Sequence, residues 1–105
     1  MPKPVRLRRQ ATDDIDAALD YYVREAGAEL AIRFIDAVER ATTEIGRHPR
    51  NGSLRFSYDL DIPDLRTWPV RRFPYLIFYV ETDDGVDVWR VLHARRHLQG
   101  LLAED

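Results

Sequence analysis

The segment at residues 93–97, His-Ala-Arg-Arg-His, places two arginines between two histidines. Histidine exchanges protons near neutral pH, and arginine binds phosphate or carboxylate oxygens through a planar fork of donors. Such a set could transfer protons at a phosphodiester, or it could anchor an anionic partner. Because like charges this close repel one another, we expect an anion or a partner protein to meet them.

More arginines precede this segment, and the acids lie elsewhere in the chain. Residues 65–97 hold six arginines, namely Arg66, Arg71, Arg72, Arg90, Arg95 and Arg96. The four acids of that stretch cluster near one turn, whereas residues 11–48 hold nine acids against four bases. The net charge is only −2. This separation predicts an acidic half and a basic face that meet different partners.

The elements that must position these residues begin with a strand at 5–9, where apolar and basic residues alternate. A helix is predicted at 12–26 with Thr12 as its N-cap, followed by a second helix at 28–47. Gly27 separates the two helices, so we expect an antiparallel helical hairpin.

Pro49 stops the second helix, and residues 49–64 are expected to form a long loop. Three antiparallel strands follow in a meander, at 65–70, 75–81 and 86–95. Pro69 makes the first an edge strand, and Asp-Gly at 84–85 joins the other two. Alternation in the last strand places Arg95 on the side of His93. The tail at 98–105 is expected to form a last helical turn or to fray, and His97 to lie at the surface.

The predicted fold class is therefore α+β: an N-terminal strand, a helical hairpin and a meander with the helices packed on one sheet face. The other face is expected to be open and to carry the arginines. We expect one domain over residues 1–105. No cysteine is present, which excludes disulfides and thiolate sites and fits a reducing cytoplasm. No apolar run is long enough to span a membrane, and neither a metal nor another cofactor is predicted.

Three local patterns occur in a characteristic order. His48-Pro49 ends the second helix and is followed by Gly52; Leu65-Arg66 leads to Val70 and to residues 73–79 (FPYLIFY); residues 88–91 (VWRV) lead to His93, Arg95 and Arg96. With this order of elements, nearly the whole chain resembles the ParE/RelE superfamily of toxins from toxin–antitoxin systems. Within it the chain is most similar to ParE-type toxins.

The resemblance implies a toxin that arrests growth and stabilises plasmids, neutralised by a cognate ParD-like antitoxin in a heterotetramer or a larger complex. ParE-type toxins poison DNA gyrase, whereas RelE-type toxins cut messenger RNA on the ribosome. The negative net charge and the single lysine, Lys3, favour the gyrase branch, because binding to RNA is dominated by phosphate contacts. No membrane association and no sequence-specific DNA binding by this chain are expected.

We expect three sets of site residues. The target-binding set combines arginines with aromatic and histidine side chains, a composition typical of binding hot spots: Trp68, Arg71, Arg72, His93, Arg95 and Arg96. In the alternative ribonuclease, the catalytic residues are His93, Arg72, Arg95 and Tyr79, with Tyr75 and His97 as further candidates. The antitoxin is expected to contact Tyr22, Phe34 and Arg33 at an apolar patch along or beside the hairpin.

Overall fold

The computed structural model of the chain describes residues 2–96. The expectations for His97 and for the tail at 98–105 concern residues outside this range. In chain order the elements are β1 (Val5–Leu7), α1 (Arg9–Ala26), α2 (Ala28–Arg47), α3 (Arg55–Asp59), β2 (Arg66–Pro69), β3 (Tyr75–Thr82) and β4 (Gly85–His93). The predicted α+β class, with a helical hairpin followed by an antiparallel meander, is confirmed.

The helical hairpin has the predicted second helix but an earlier start. β1 runs directly into α1: the amide of Arg8 donates to the carbonyl of Val88 (2.9 Å), and Arg8 itself is the N-cap. Thr12 therefore lies inside the helix, so the prediction that it caps the helix was wrong. Gly27 ends α1 and begins α2 with a φ of 92°, a backbone conformation that favours glycine.

The four strands form one sheet in the order β1-β4-β3-β2, in which β1 is parallel to β4 and the other pairs are antiparallel. β2 is an edge strand that contains Pro69, as predicted. The chain before β1 passes close to two glycines. A Cβ on Gly46 would lie 2.8 Å from the carbonyl oxygen of Lys3, and a Cβ on Gly85 would lie 2.7 Å from that of Pro4. These glycines allow the N-terminal strand to reach the sheet.

Apolar side chains cover both faces of the sheet. The hairpin packs on one face over the main core, whose members include Phe34, Val38, Ile45, Ile77, Tyr79, Val86, Val88 and Val91. A second cluster lies on the opposite face, where Phe56 of α3 packs with Leu65, Phe78 and Leu92. The predictions of an open face and of a loop without structure at 49–64 were therefore wrong. Helix α3 is a single short turn, too brief to show a period in the sequence.

A β-bulge interrupts the alternation of β4. Phe78 pairs with Arg90 and Tyr79 pairs with Val88, so Trp89 is an extra residue on the β4 side. A regular alternation of side chains between the two sheet faces therefore does not continue across Trp89. Residues before and after it cannot be assigned to faces by a single alternating pattern. The strand also ends at His93, and Arg95 lies in a turn. The prediction that Arg95 shares a face with His93 by strand alternation was wrong, because the strand ends before Arg95.

Candidate functional site

Two chain segments meet at the end of the sheet where β3 begins and β4 ends. Tyr75 pairs with His93, and the amide of Ala94 donates to the carbonyl of Pro74 (2.8 Å). The amide of Val70 donates to the carbonyl of Tyr75 (2.9 Å). This bond closes the turn between β2 and β3 and keeps the turn at the same end of the sheet. Residues 70–75 and 93–96 therefore lie side by side, and we call this region the arginine end. It carries Arg71, Arg72, Arg95 and Arg96.

Two of the six arginines predicted for the basic face are bound inside the protein. The Arg66 guanidinium donates to the carbonyls of Arg50 (3.0 Å) and Gly52 (2.9 Å). The Arg90 guanidinium makes two hydrogen bonds, of 2.8 and 2.9 Å, to the carboxylate of Asp14 in α1. That carboxylate raises the pKa of Arg90. Both arginines fix the structure, and their charges are not offered to a partner.

Arg71 and Arg72 occupy the turn between β2 and β3, where both are exposed. The amide of Phe73 donates to the carbonyl of Val70 (3.0 Å), and Arg72 has a φ of 73°. This conformation is costly for a residue with a Cβ, so the turn favours glycine at position 72 on backbone grounds. Within residues 2–96 neither guanidinium has a hydrogen bond or an ion pair. The two charges face solvent.

Arg96 and Arg95 are organised by aromatic side chains and by His93. The Arg96 guanidinium lies 4.9 Å from the ring centroid of Tyr21 and 3.4 Å from the hydroxyl of Tyr75. The backbone amides of Arg95 and Arg96 donate to Nδ1 of His93 (3.1 and 3.2 Å). The His93 ring also packs edge-on against Tyr75 (5.2 Å) and so holds the turn in place.

Of the four residues predicted for a ribonuclease, only Tyr79 lies apart from the others, and the further candidate Tyr75 lies beside His93. Tyr79 is fully buried; its hydroxyl accepts from the amide of Gly52 (3.1 Å) and donates to the carbonyl of Pro49 (2.9 Å). Burial raises its pKa. Tyr79 lies roughly 13 Å along β3 from Tyr75, at about 3.3 Å per strand residue. It therefore lies in the core, away from the arginine end that holds His93, Arg72 and Arg95.

Trp68, the remaining member of the predicted target-binding set, lies on the edge strand β2. It pairs with Ile77 and packs, half-buried, against the main core. It is thus partly covered by the protein, and the arginine end offers mainly cationic side chains.

An apolar groove lies between β1 and the helical hairpin. Its volume is about 300 Å³, and its lining is Val5, Leu7, Thr12, Ile15, Ile35, Val38, Glu39 and Thr42. Leu7 is 43% exposed, and Ile32, on α2 near Ile35, is 61% exposed. We call this surface the hairpin groove. The sequence predicted an apolar patch along or beside the hairpin, and the groove is such a surface, but none of its lining residues was among the predicted antitoxin contacts.

The three residues predicted to bind the antitoxin lie elsewhere on the hairpin. Phe34 is fully buried, so it offers no surface to a partner. Tyr22 is half-buried, with its ring packed against Phe34 and Phe73. Arg33 is exposed and forms an ion pair with Glu29 (3.0 Å). The signal in the sequence that could have indicated the groove was the presence of isoleucine and leucine beside the apolar stripe of the helices and in the first strand.

Within the described part of the chain, no helix is both long and apolar enough to cross a membrane. Among those same residues, no group of three or more potential ligands from His, Asp and Glu is placed to hold a metal ion.

The structure is thus a small α+β protein in which a helical hairpin packs on a four-stranded sheet, with a cationic end and an apolar groove. The family model described as "ParE toxin of type II toxin-antitoxin system, parDE" matches residues 5–98. The chain therefore belongs to the ParE toxin family, which confirms the resemblance drawn from its motifs.

One similar solved structure is described as "Chromosomal ParDE TA system from P. aeruginosa". It has a TM-score of 0.75 at 22% sequence identity, covering 89% of this chain and 97% of the other. At that identity the likeness concerns the fold. No curated protein sequence matches the chain at a significant level.

Proposed function

We propose that this ParE-family toxin inhibits DNA gyrase and thereby DNA replication, with the arginine end as the surface that meets the target. The observation that carries the proposal is the sorting of arginines. Arg66 and Arg90 bind groups inside the protein, whereas Arg71, Arg72 and Arg95 face solvent at one end of the sheet. Exposed arginines presented by ordered turns are common anchors of protein interfaces.

A ribonuclease mechanism has less support from the same geometry. Cutting RNA through its 2′-hydroxyl needs a base, an acid and cations around one phosphate. Tyr79 is buried, and the ammonium of Lys3 is bound by the carbonyl of Thr82 (2.9 Å) and the carboxylate of Glu81 (2.9 Å). Thr82 ends β3, at the opposite end of the strand from Tyr75. The arginine end holds His93 and Tyr75 beside its cations, but Nδ1 of His93 already accepts from the amides of Arg95 and Arg96, which favours docking over catalysis.

We also propose that a ParD-like antitoxin occupies the hairpin groove. The groove is apolar, and Glu39 lies in its lining while Asp16 and Asp36 are exposed on the same two helices. This pattern fits an amphipathic segment with apolar side chains toward the groove and basic side chains toward its rim. We expect the complex to be a heterotetramer or larger, and the toxin to act in the cytoplasm, where gyrase works on DNA.

The first experiment compares two activities of the purified chain: gyrase supercoiling with detection of cleaved DNA, and ribosome-dependent cleavage of messenger RNA. We expect cleaved DNA to accumulate and RNA to stay intact. The double variant R71A/R72A should lose most of the inhibition. The matched control R9A/R40A removes the same charge from exposed helix positions and should keep it. RNA cleavage with unaffected gyrase would contradict the proposal and assign the chain to the ribonuclease branch.

The second experiment measures antitoxin affinity for the variant Leu7→Glu. Leu7 is 43% exposed, so the folded state tolerates the change, whereas an antitoxin side chain in the groove would meet a buried charge. Losing the burial of one leucine corresponds to about 1.5–3 kcal/mol, or at least a tenfold weaker complex. Tyr58→Glu, on α3 and 82% exposed, is the control. Equal weakening by both variants would contradict binding at the groove.

A further inference from the structure

We propose that the arginine end binds the phosphodiester backbone of DNA, so that the toxin holds a DNA strand of the gyrase complex and not the enzyme alone. This inference deepens the proposed function by naming one partner of the same surface. Binding to DNA itself does not depend on gyrase, and it can be measured without the enzyme.

The charged side chains of the two segments at this end are all arginines. Residues 70–76 (VRRFPYL) and 91–96 (VLHARR) contain four arginines and no acid. The hydrogen bonds from Val70 to Tyr75 and from Ala94 to Pro74 hold the two segments side by side. A DNA strand carries one negative charge about every 3.4 Å, so a compact group of cations meets several phosphates at once.

The arginines within the strands of the sheet differ, because acids or carbonyls already bind them. Arg6 binds Asp84 (3.2 Å) and Asp87 (3.1 Å), and Arg50 binds Glu81 (3.1 Å). Each of these arginines is therefore already paired with a carboxylate of the protein. With a net charge of −2, general attraction to a polyanion is not available either. Binding to DNA must therefore be local, and the arginine end is the place that can supply it.

One guanidinium at this end, that of Arg96, is also held in advance of binding. Arg96 is fixed by the Tyr21 ring and the Tyr75 hydroxyl, while Arg72 is presented by a backbone with a φ of 73°. A guanidinium held in place loses less conformational entropy on binding, and its weakly hydrated planar fork fits phosphate oxygens. Arg71, Arg72 and Arg95 lie in turns and Arg96 directly follows one, which suits contact with a backbone rather than reading of bases.

An acidic protein surface is the alternative partner for such cations. Carboxylates in this protein are dispersed among other groups, and each meets one or two cations, as Asp14 meets Arg90 and Asp87 meets Arg6 and Arg8. Four arginines without an intervening acid match the denser and more regular charge of a nucleic acid better. We therefore assign the surface to DNA and treat the acidic protein as an outcome of the experiment.

The test measures anisotropy of a labelled 20-base-pair duplex with the full chain and no gyrase, over a range of salt concentrations. Four phosphate contacts predict a slope of log K against log salt of about −3.6. R71A/R72A should reduce it to about −1.8 and weaken binding at least tenfold at low salt, whereas R9A/R40A should leave both unchanged. Thermal unfolding of each variant checks that it is folded.

The variant Tyr21→Ala separates pre-organisation from charge. It removes the ring against which Arg96 rests but keeps every cation, so affinity should fall about threefold while the salt slope stays the same. A polyglutamate peptide of equal charge, used as competitor, should displace the duplex far less well than unlabelled duplex does.

Three results would overturn the inference: no duplex binding at 50 mM salt, equal loss in R9A/R40A, or displacement by polyglutamate as effective as that by DNA. The last result would assign the surface to an acidic protein. If duplex binding is absent but gyrase is inhibited, the inference fails and the proposed function stands. If the duplex binds through these arginines but gyrase is unaffected, the inference stands and the proposed function fails.

Discussion

Replacing Gly52 by alanine is expected to lower the free energy of unfolding by about 3 kcal/mol. The segment around Gly52 lies against the sheet, where its amide donates to the Tyr79 hydroxyl (3.1 Å) and its carbonyl accepts from Arg66 (2.9 Å). A Cβ at this position would overlap the Tyr79 hydroxyl and would lie 2.9 Å from the carbonyl oxygen of Thr67. The backbone oxygen is fixed by strand pairing, so the tyrosine must move.

The magnitude follows from two contributions. Inserting a methyl group into a packed site costs about 1–3 kcal/mol, and displacing the hydroxyl weakens two hydrogen bonds worth about 1 kcal/mol each. For a chain of this length, about 3 kcal/mol lowers the midpoint of thermal unfolding by roughly 13 °C. Tyr79→Phe should cost about 2 kcal/mol, because it leaves the Gly52 amide and the Pro49 carbonyl without their partner.

The double variant Gly52→Ala/Tyr79→Phe tests the steric explanation directly. Removing the hydroxyl relieves the closest contact of the new methyl group and leaves the Thr67 carbonyl oxygen and the ring carbon Cζ, each 2.9 Å away. The double variant should therefore lose clearly less than the sum of the two single losses. Urea unfolding of the four proteins gives the coupling energy, provided that the slope with denaturant is unchanged. Single losses that add within about 0.5 kcal/mol would refute the reasoning.

The same variants separate a structural from a functional role of Tyr79. At a temperature where Tyr79→Phe is still folded, it should inhibit gyrase as well as the original chain, because the hydroxyl is buried and bound to backbone groups. A folded Tyr79→Phe protein that has lost its activity would contradict this placement and make the hydroxyl a functional group.

Three further predictions concern other parts of the molecule. Arg72→Gly should be more stable than Arg72→Ala by about 1 kcal/mol, because both remove the cation but only glycine relieves the positive φ; thermal unfolding measures the difference. Asp14→Ala should cost about 2–3 kcal/mol in urea unfolding, because it leaves the Arg90 guanidinium and the Val91 amide unpaired; Asp14→Asn should cost less. Hydrogen bonds from two cations lower the pKa of Glu81, so its stabilising contribution is present above the ordinary value of about 4.5 and is lost as the pH falls through the folded-state pKa. The stability difference between the original chain and Glu81→Gln should therefore shrink between pH 7 and pH 3.

Contrary results would be equally informative. An Arg72→Gly protein no more stable than Arg72→Ala would mean that the turn relaxes without strain. A neutral Asp14→Ala would show that water replaces the carboxylate at little cost. A difference for Glu81→Gln that is independent of pH would mean that its hydrogen bonds do not depend on its charge.

The sequence by itself determined the elements that depend on local pattern. Helix α2 has the predicted bounds because its apolar residues repeat at helical spacing between Gly27 and Pro49. The apolar run at 75–81 became the buried strand β3, and Asp-Gly at 84–85 lies at the hairpin turn between β3 and β4. The same patterns, taken in order, were sufficient to identify the ParE family.

The tertiary structure alone decided which arginines remain available to a partner. Arg66 and Arg95 look alike in the sequence, but the first is bound by carbonyls 14 and 16 residues away and the second faces solvent. Arg90 meets Asp14 across 76 residues, and the bulge at Trp89 changes the face assignment of the residues around it. Local sequence carries helix and strand periods because these arise from the backbone geometry of neighbouring residues. Charge pairing across the fold depends on which distant segments pack together, so it is settled only when the chain has folded.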